Sequence, residues 1–227
     1  MVPKSYNMTM VKKLILFPFG GNARESLLSV LALNKLKKQW DPVGFVDDDR
    51  LKWGKECCGI KVLGDKGVLK KYPDAWILAV PGNPDNYPER KSIIDSLGVE
   101  NSRFATIIHP SAVISPDARI GYDTTIMPNV VITCGARIGN HCIILPNTSI
   151  LHDSKIGDYS CVGSNVSISA RVNIASASYI GSGTKIKGDI RIGEGALVGL
   201  GSNVIFDIEK GTVAAGNPAK TIRKTKK

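Results

Sequence analysis

The chain has 227 residues, of which 43% are hydrophobic and 22% charged, with a formal net charge of +10. No apolar run approaches the ~20 residues that a membrane-spanning helix needs, so membrane insertion is excluded as an expectation. The basic excess is small over residues 1–105 and is otherwise concentrated in the tail, at Lys220, Arg223, Lys224, Lys226 and Lys227. A nucleic-acid binder needs a basic face with interleaved aromatics, which is absent; a basic tail suits a solvated end or attraction for a phosphorylated ligand.

In chain order, Met1–Met10 reads as a loose leader. Val11–Phe19 reads as a buried first strand that ends in the turn Gly20-Gly21-Asn22. Arg24–Lys38 has apolar residues at helical spacing and lysines at its end, as a helix should. Pro42–Val46 is a second strand, followed by Asp47-Asp48-Asp49. Val62-Leu63 is a short edge element, Lys66–Lys71 a short helix and Ala75–Val80 a third strand, with Pro81-Gly82-Asn83 turning after it. Glu89–Leu97 is helical, and Ala105–Ile107 is a further strand. This βαβαβ order predicts a small doubly wound sheet of Rossmann type over residues 1–105. Such sheets bind ligands beyond the carboxyl ends of their strands. Gly20, Gly21, Asn22, Asp47, Asp48, Gly82 and Asn83 gather there as candidate ligand-binding residues. The full pattern Gly-x-Gly-x-x-Gly is missing, which argues against a dinucleotide.

From Ile108 to Val204, every sixth residue is Ile or Val, seventeen times without interruption. Neither the strand period of two nor the helix period of 3.6 yields such a series; a fixed six-residue period is the mark of a β-solenoid over residues 106–227. A superperiod of eighteen accompanies it. Gly121, Gly139, Gly157 and Gly193 share one position, which suggests a corner needing unusual φ/ψ. Asn129, Asn147 and Asn165 share another, where a ladder of amides is expected. Three units make one coil, so His152 stacks between Cys134 and Ala170.

Five cysteines, an odd number with no Cys-x-x-Cys, indicate neither a zinc site nor a disulfide frame, and a reduced cytoplasm is expected. Three histidines are candidates for proton transfer. His109 precedes Pro110 at the start of the solenoid and reads as structural. His141 lies in the turn Gly139-Asn140-His141 and is expected to be exposed. His152 sits near a corner, outside the Ile/Val column, and Asp153 follows it.

These residues resemble the hexapeptide-repeat acyltransferases. A small Rossmann-like domain ahead of the repeat resembles, within them, the bacterial sugar acyltransferases, which include nucleotide-sugar N-acetyltransferases and sialic acid O-acetyltransferases. The resemblance is carried by Gly20-Gly21-Asn22-Ala23, Phe45-Val46-Asp47-Asp48, Gly82-Asn83 with Arg90, the stretch Asn147-Thr148 to Gly157-Asp158, and the ending Gly216-Asn217-Pro218-Ala219-Lys220. It implies a left-handed parallel β-helix that trimerises, a nucleotide-sugar acceptor held by the N-terminal domain, and acetyl-CoA as co-substrate with no metal. It also implies His152 as general base, assisted by Asp153, with Cys161, Ser182 and Leu200 at the coenzyme A site. The expected pathway is bacterial surface glycan synthesis. Two departures stand out. Asn22 replaces the family's histidine, and Cys161 takes the place of a second histidine that contacts the acetyl group or thioester. Ala170-Arg171 likewise replaces a usual Gly-Asn pair. An O-acetyltransferase for sialic-acid-like sugars and a catalytically silent scaffold remain the competing readings.

Overall fold

The computed structural model describes residues 10–225. The expected leader therefore lies outside the described residues except for Met10, and so do Lys226 and Lys227. The N-terminal α/β unit is built on a parallel three-stranded sheet in the order β2-β1-β5. Its strands are β1 (Lys12–Phe17), β2 (Trp40–Phe45) and β5 (Trp76–Ala79). β1 is central, and Leu14, Ile15 and Leu16 are fully buried on both of its sides. That is why its sequence is continuously apolar rather than alternating. Helix α1 (Gly21–Leu36) begins three residues before the expected start, because the backbone N–H of Arg24 already donates to the Gly20 carbonyl. A small hairpin, β3 (Glu56–Cys57) with β4 (Ile60–Lys61), was not foreseen. Its turn residues Cys58 and Gly59 both have positive φ, the geometry of a tight hairpin turn, but Cys-Gly is not a usual signal for it. The expected helix at Glu89–Leu97 is a 3-10 turn, Tyr87–Glu89, continued by α2 (Arg90–Asp95). The unit thus has one long helix and one short one.

From Ile107 onward the chain winds into a parallel β-helix, matching the left-handed form. Two-residue strands stack at a spacing of eighteen, Ile132 on Ile150 on Ile168, and so on around the prism. The first face begins at Ile107–Ile108, the second at Val113–Ile114 and the third at Arg119–Ile120. Thr212–Gly216 and Ala219–Lys224 close the first face. The Ile/Val column forms the core, with Ile126, Ile144, Ile150, Val162, Ile168, Ile174 and Ile180 fully buried. Burying each such side chain contributes about 1.5–3 kcal/mol. The small residues between them are also inside. Their hydroxyls donate to carbonyls of the next coil, as from Thr148 to Gly163 O (2.8 Å) and from Ser154 to Ser169 O (2.9 Å).

Most vertex turns carry one residue with positive φ. At the vertex between the first and second faces these are Asn129, Asn147, Asn165, Gly183 and Gly201. Between the second and third they are Gly135, Asp153, Arg171 and Asp189. Between the third and first they are Asp123, His141, Tyr159, Ala177 and Gly195. The recurring Gly121, Gly139, Gly157 and Gly193 are not among them. A Cβ at any of these four would collide with the backbone of the coil above, so close approach, not φ, selects glycine there. The asparagine ladder is present as one rung, Asn129 Nδ2 donating to Asn147 Oδ1 at 3.1 Å.

The α/β unit packs on the first face and on the vertex between the third face and the first. Ala23, Leu27 and Val30 of α1 share one core with Ile107, Ile143 and Cys161. The Ser26 and Thr125 hydroxyls meet at 3.2 Å across this contact.

Candidate functional site

The sharp turns after β1 and β5 place Gly20, Gly21, Asn22, Gly82 and Asn83 around one cavity of about 410 Å³. Asn22 Nδ2 donates to the Gly82 carbonyl at 2.8 Å and so ties the two turns together. Asp47 does not line this cavity. It is buried, accepts the Asp49 N–H, and receives Lys52 Nζ at 3.0 Å, and Lys52 is the residue that reaches the cavity wall. Asp48 points elsewhere, into a separate cavity with Lys66 and Arg103. Of the seven residues expected at the acceptor site, five come together around this cavity, Asp47 lies behind Lys52 in an ion pair with it, and Asp48 stands apart. Lys52 and Pro84 of the α/β unit and Tyr179 of the coil also line the wall and were not foreseen; Tyr179 arrives only because of how the unit sits on the coil.

A second cavity of about 350 Å³ adjoins the first at Pro84 and Tyr179. It is lined by Ser182, Leu197, Gly199 and Leu200 and is mainly apolar. Leu200 is 83% exposed at its rim. The sequence-derived pair Ser182 and Leu200 is thus brought together.

Contrary to its expected place at coenzyme A, Cys161 lines neither cavity, because the α/β unit covers it. Its strand, Cys161–Val162, belongs to the first face, and the thiol points outward beneath the α/β unit. Burial pushes the thiol up and keeps it neutral, which removes it as a nucleophile. Above it, a Cβ on Gly82 would stand 2.7 Å from Arg90 Nη1 and 3.0 Å from Cys161 Sγ, so only glycine fits this turn.

Arg90 explains that crowding. It is fully buried and donates to the Pro81, His141 and Tyr159 carbonyls, the last at 2.9 Å. His141 is not exposed, contrary to the sequence expectation. The α/β unit covers its vertex, and its ring stacks on Tyr159 and meets Phe104 edge-on. Its Nδ1 lies 2.6 Å from Asp123 Oδ2, while Asp123 Oδ1 accepts the Ala79 N–H at 2.7 Å. Burial pushes the Asp123 carboxyl up to about 6, against the opposing hydrogen bond from His141. Asp123 and His141 are eighteen residues apart, so the superperiod could have paired them. His109 is structural, as expected: its Nδ1 accepts the Ser111 N–H at 3.1 Å.

His152 and Asp153 occupy the vertex between the second and third faces. On an extended strand, neighbouring side chains point to opposite sides. Here Asp153 has φ +60°, which turns its carboxylate back onto the preceding residue. His152 Nδ1 and Asp153 Oδ2 are 2.9 Å apart, and both side chains are largely exposed. Such a pair can fix Nδ1 as donor and leave Nε2 free to accept a proton. This vertex lies opposite the face that carries the α/β unit, so within one chain His152 is remote from both cavities. Among the described residues, no group of His, Cys, Asp and Glu is arranged to hold a metal ion, and no helix is long and apolar enough to cross a membrane.

Comparison with known proteins agrees with this architecture. Residues 103–210 match the family model described as the GMPPB C-terminal domain, slightly less than half of the chain. No curated protein matches by sequence. Among solved structures, the acetyltransferase domain of PglB from Neisseria gonorrhoeae is 25% identical, with a TM-score of 0.81 over 93% of this chain and 100% of that one. It has also been solved with acetyl coenzyme A. A mutant perosamine N-acetyltransferase from Caulobacter crescentus, in complex with CoA and GDP-perosamine, is 23% identical, with a TM-score of 0.80 over 93% of this chain and 96% of that one. WeeI from Acinetobacter baumannii is 22% identical, with a TM-score of 0.76 over 94% of this chain and 100% of that one.

Proposed function

We infer that this chain, whose fold is that of the hexapeptide-repeat sugar acetyltransferases, transfers the acetyl group of acetyl-CoA to an amino group of a nucleotide-linked sugar. The carrying observation is the His152–Asp153 pair, turned together by the positive φ of Asp153 on an otherwise unbroken prism. Domain assignment follows the same reading: residues 1–105, a reduced Rossmann-like fold, hold the acceptor, and residues 106–227 hold the donor and the base. The cavity at Gly20, Gly21, Asn22, Gly82 and Asn83 takes the acceptor. Its glycines let the backbone approach phosphate or sugar, and Lys52 supplies a cation for the phosphates. Ser182 and Leu200 take the pantetheine arm in the adjoining apolar cavity.

The amine nitrogen attacks the thioester carbonyl carbon, the carbon–sulfur bond breaks, and CoA leaves as the thiol. His152 Nε2 takes the proton released from nitrogen and returns it to the sulfur, while Asp153 holds Nδ1–H. An unprotonated amine is a competent nucleophile, so its demand on the base is modest. Because His152 lies at the vertex away from its own acceptor cavity, a neighbouring copy must supply one side of the site. The expected assembly is a trimer in which each prism's His152 vertex faces the next subunit's cavities. Cys161, sealed under the Gly82 turn, supports that turn from below and does not take over the contact to the acetyl group made by the family's second histidine.

Thermal-shift measurements over UDP-, GDP-, dTDP- and CMP-linked sugars test the acceptor assignment, and no shift with any of them would sink it. CoA thiol release over a panel of 4-amino sugars tests the reaction. Release only with hydroxylated sialic-acid-like sugars would move the assignment to O-acetylation, release that is equal in wild type and His152→Ala would remove His152 as the base, and release no faster than without protein would leave a scaffold. A monomeric mass in light scattering would refute the shared site.

A further inference from the structure

The His152–Asp153 pair is one storey of a column. Residues stacked eighteen apart at that vertex run Asp117, Gly135, Asp153, Arg171, Asp189. Asp117 Oδ2 accepts the Gly135 N–H at 2.9 Å. Gly135, with φ +68°, leaves room directly above it: any Cβ there would meet Asp153 Oδ1. One carboxylate oxygen of Asp153 therefore rests over Gly135, and the other faces His152 Nδ1. On the next coil, the Arg171 N–H donates to the His152 carbonyl at 2.9 Å. The Arg171 guanidinium is held in a two-point contact by Asp189, Nε to Oδ1 at 2.7 Å and Nη2 to Oδ2 at 2.9 Å. Arg171 stands in the field of Asp153 as well as Asp189, and Asp189 is held below the usual carboxylate range by it.

This arrangement resolves a conflict. An arginine beside a carboxylate prefers to grip it with both nitrogens of its fork. Without Asp189, Arg171 would take Asp153 away from the imidazole. With its fork occupied, Arg171 adds a positive charge above Asp153 without taking Oδ2 from His152 Nδ1. We propose that Arg171 and Asp189, standing over Asp153 with Gly135 beneath it, are positioning residues that hold His152 in the tautomer with Nδ1 protonated and Nε2 open. This rests on the assignment of His152 as the base. The other charged or titratable groups facing the vertex are the Cys134 thiol one coil below His152, Lys155 at the start of the third face, and Lys187 beside Asp189.

The test does not require the natural acceptor. The chain has only three histidines, so ¹⁵N-histidine labelling gives three resolvable rings, and His152→Ala assigns the one that matters. The wild-type His152 ring is expected in the Nδ1–H form. In Asp189→Asn the freed guanidinium captures Asp153, and the ring moves toward Nε2–H; Arg171→Gln gives a smaller move in the same direction, and Arg171→Lys a partial recovery. With acetyl-CoA and a panel of UDP-, GDP- and dTDP-linked 4-amino sugars, kcat falls about tenfold in Asp189→Asn and about threefold in Arg171→Gln, with KM nearly unchanged. In an Asp153→Asn background neither substitution lowers kcat further, because their effect passes through Asp153. An unchanged His152 tautomer in Asp189→Asn overturns the proposal, as does an undiminished loss in the Asp153→Asn background. If instead His152→Ala retains full activity, the base assignment fails on its own, and the tautomer measurement still decides the column.

Discussion

Two histidine–aspartate pairs sit on the same prism, and they have opposite fates. His152 and Asp153 are sequence neighbours at one vertex, with side chains 45% and 62% exposed. His141 and Asp123 are one coil apart at another vertex, 3% and 0% exposed. Both pairs use a residue with positive φ to aim their side chains. The difference is what covers them. The α/β unit lies on the His141 vertex and converts that pair into an anchor, joined by Arg90, between the two parts of the chain. Among the described residues nothing covers His152, and its pair stays open to solvent. Composition of a pair therefore says little about its role; the neighbouring surface decides it.

Four substitutions break or sharpen that contrast. His152→Ala should lower kcat by about 10²–10⁴-fold, the range of general-base catalysis, while the thermal midpoint stays put. CoA-thiol release and a melt on the same sample read both. His141→Ala should do the reverse. Leaving the Asp123 carboxylate buried without its partner costs about 3–5 kcal/mol, read from urea midpoints, with the activity of the folded fraction largely kept. A loss of activity without a loss of stability would reverse the two roles. Asp153→Asn should lower kcat by about tenfold, as loss of an orienting partner of a histidine does elsewhere. The smallest effect concerns pH. The Asp123 carboxyl is raised from 3.8 to about 6 in the folded state, so the folded protein binds that proton more tightly than the unfolded chain. The associated stabilisation is fully present below the unfolded value and is lost as pH rises through the folded one. Relative to wild type, Asp123→Asn should therefore gain stability between about pH 4 and pH 6. Parallel denaturation curves for the two proteins at both ends of that window would show no divergence if the carboxyl is not raised.

The coil was legible because each position in it answers to one repeated constraint. Ile150 must fill the core wherever it lies along the axis, and Gly157 must let the next coil pass, so period alone locates both. The reason for the glycines was not legible: close approach and positive φ both favour glycine, and only the stacked backbones tell them apart. In the α/β unit, strands β1, β2 and β5 were legible from apolar runs bounded by turns. The β3–β4 hairpin was missed because Cys58 takes a conformation more usual for Asn. At the site, the turns at Gly20 and Gly82 and the pair His152–Asp153 could be named from the chain. The burial of Cys161 and His141 could not, since both face outward from the coil and only the docked unit seals them.

The sequence alone determined the prism, its eighteen-residue register, and hence which residues share a vertex, because stacking in a solenoid is local and repetitive. The tertiary structure decided which vertex is covered and which is left bare. That choice depends on how α1 meets the first face and Arg90 the vertex beside it, contacts between residues far apart in the chain that no period encodes.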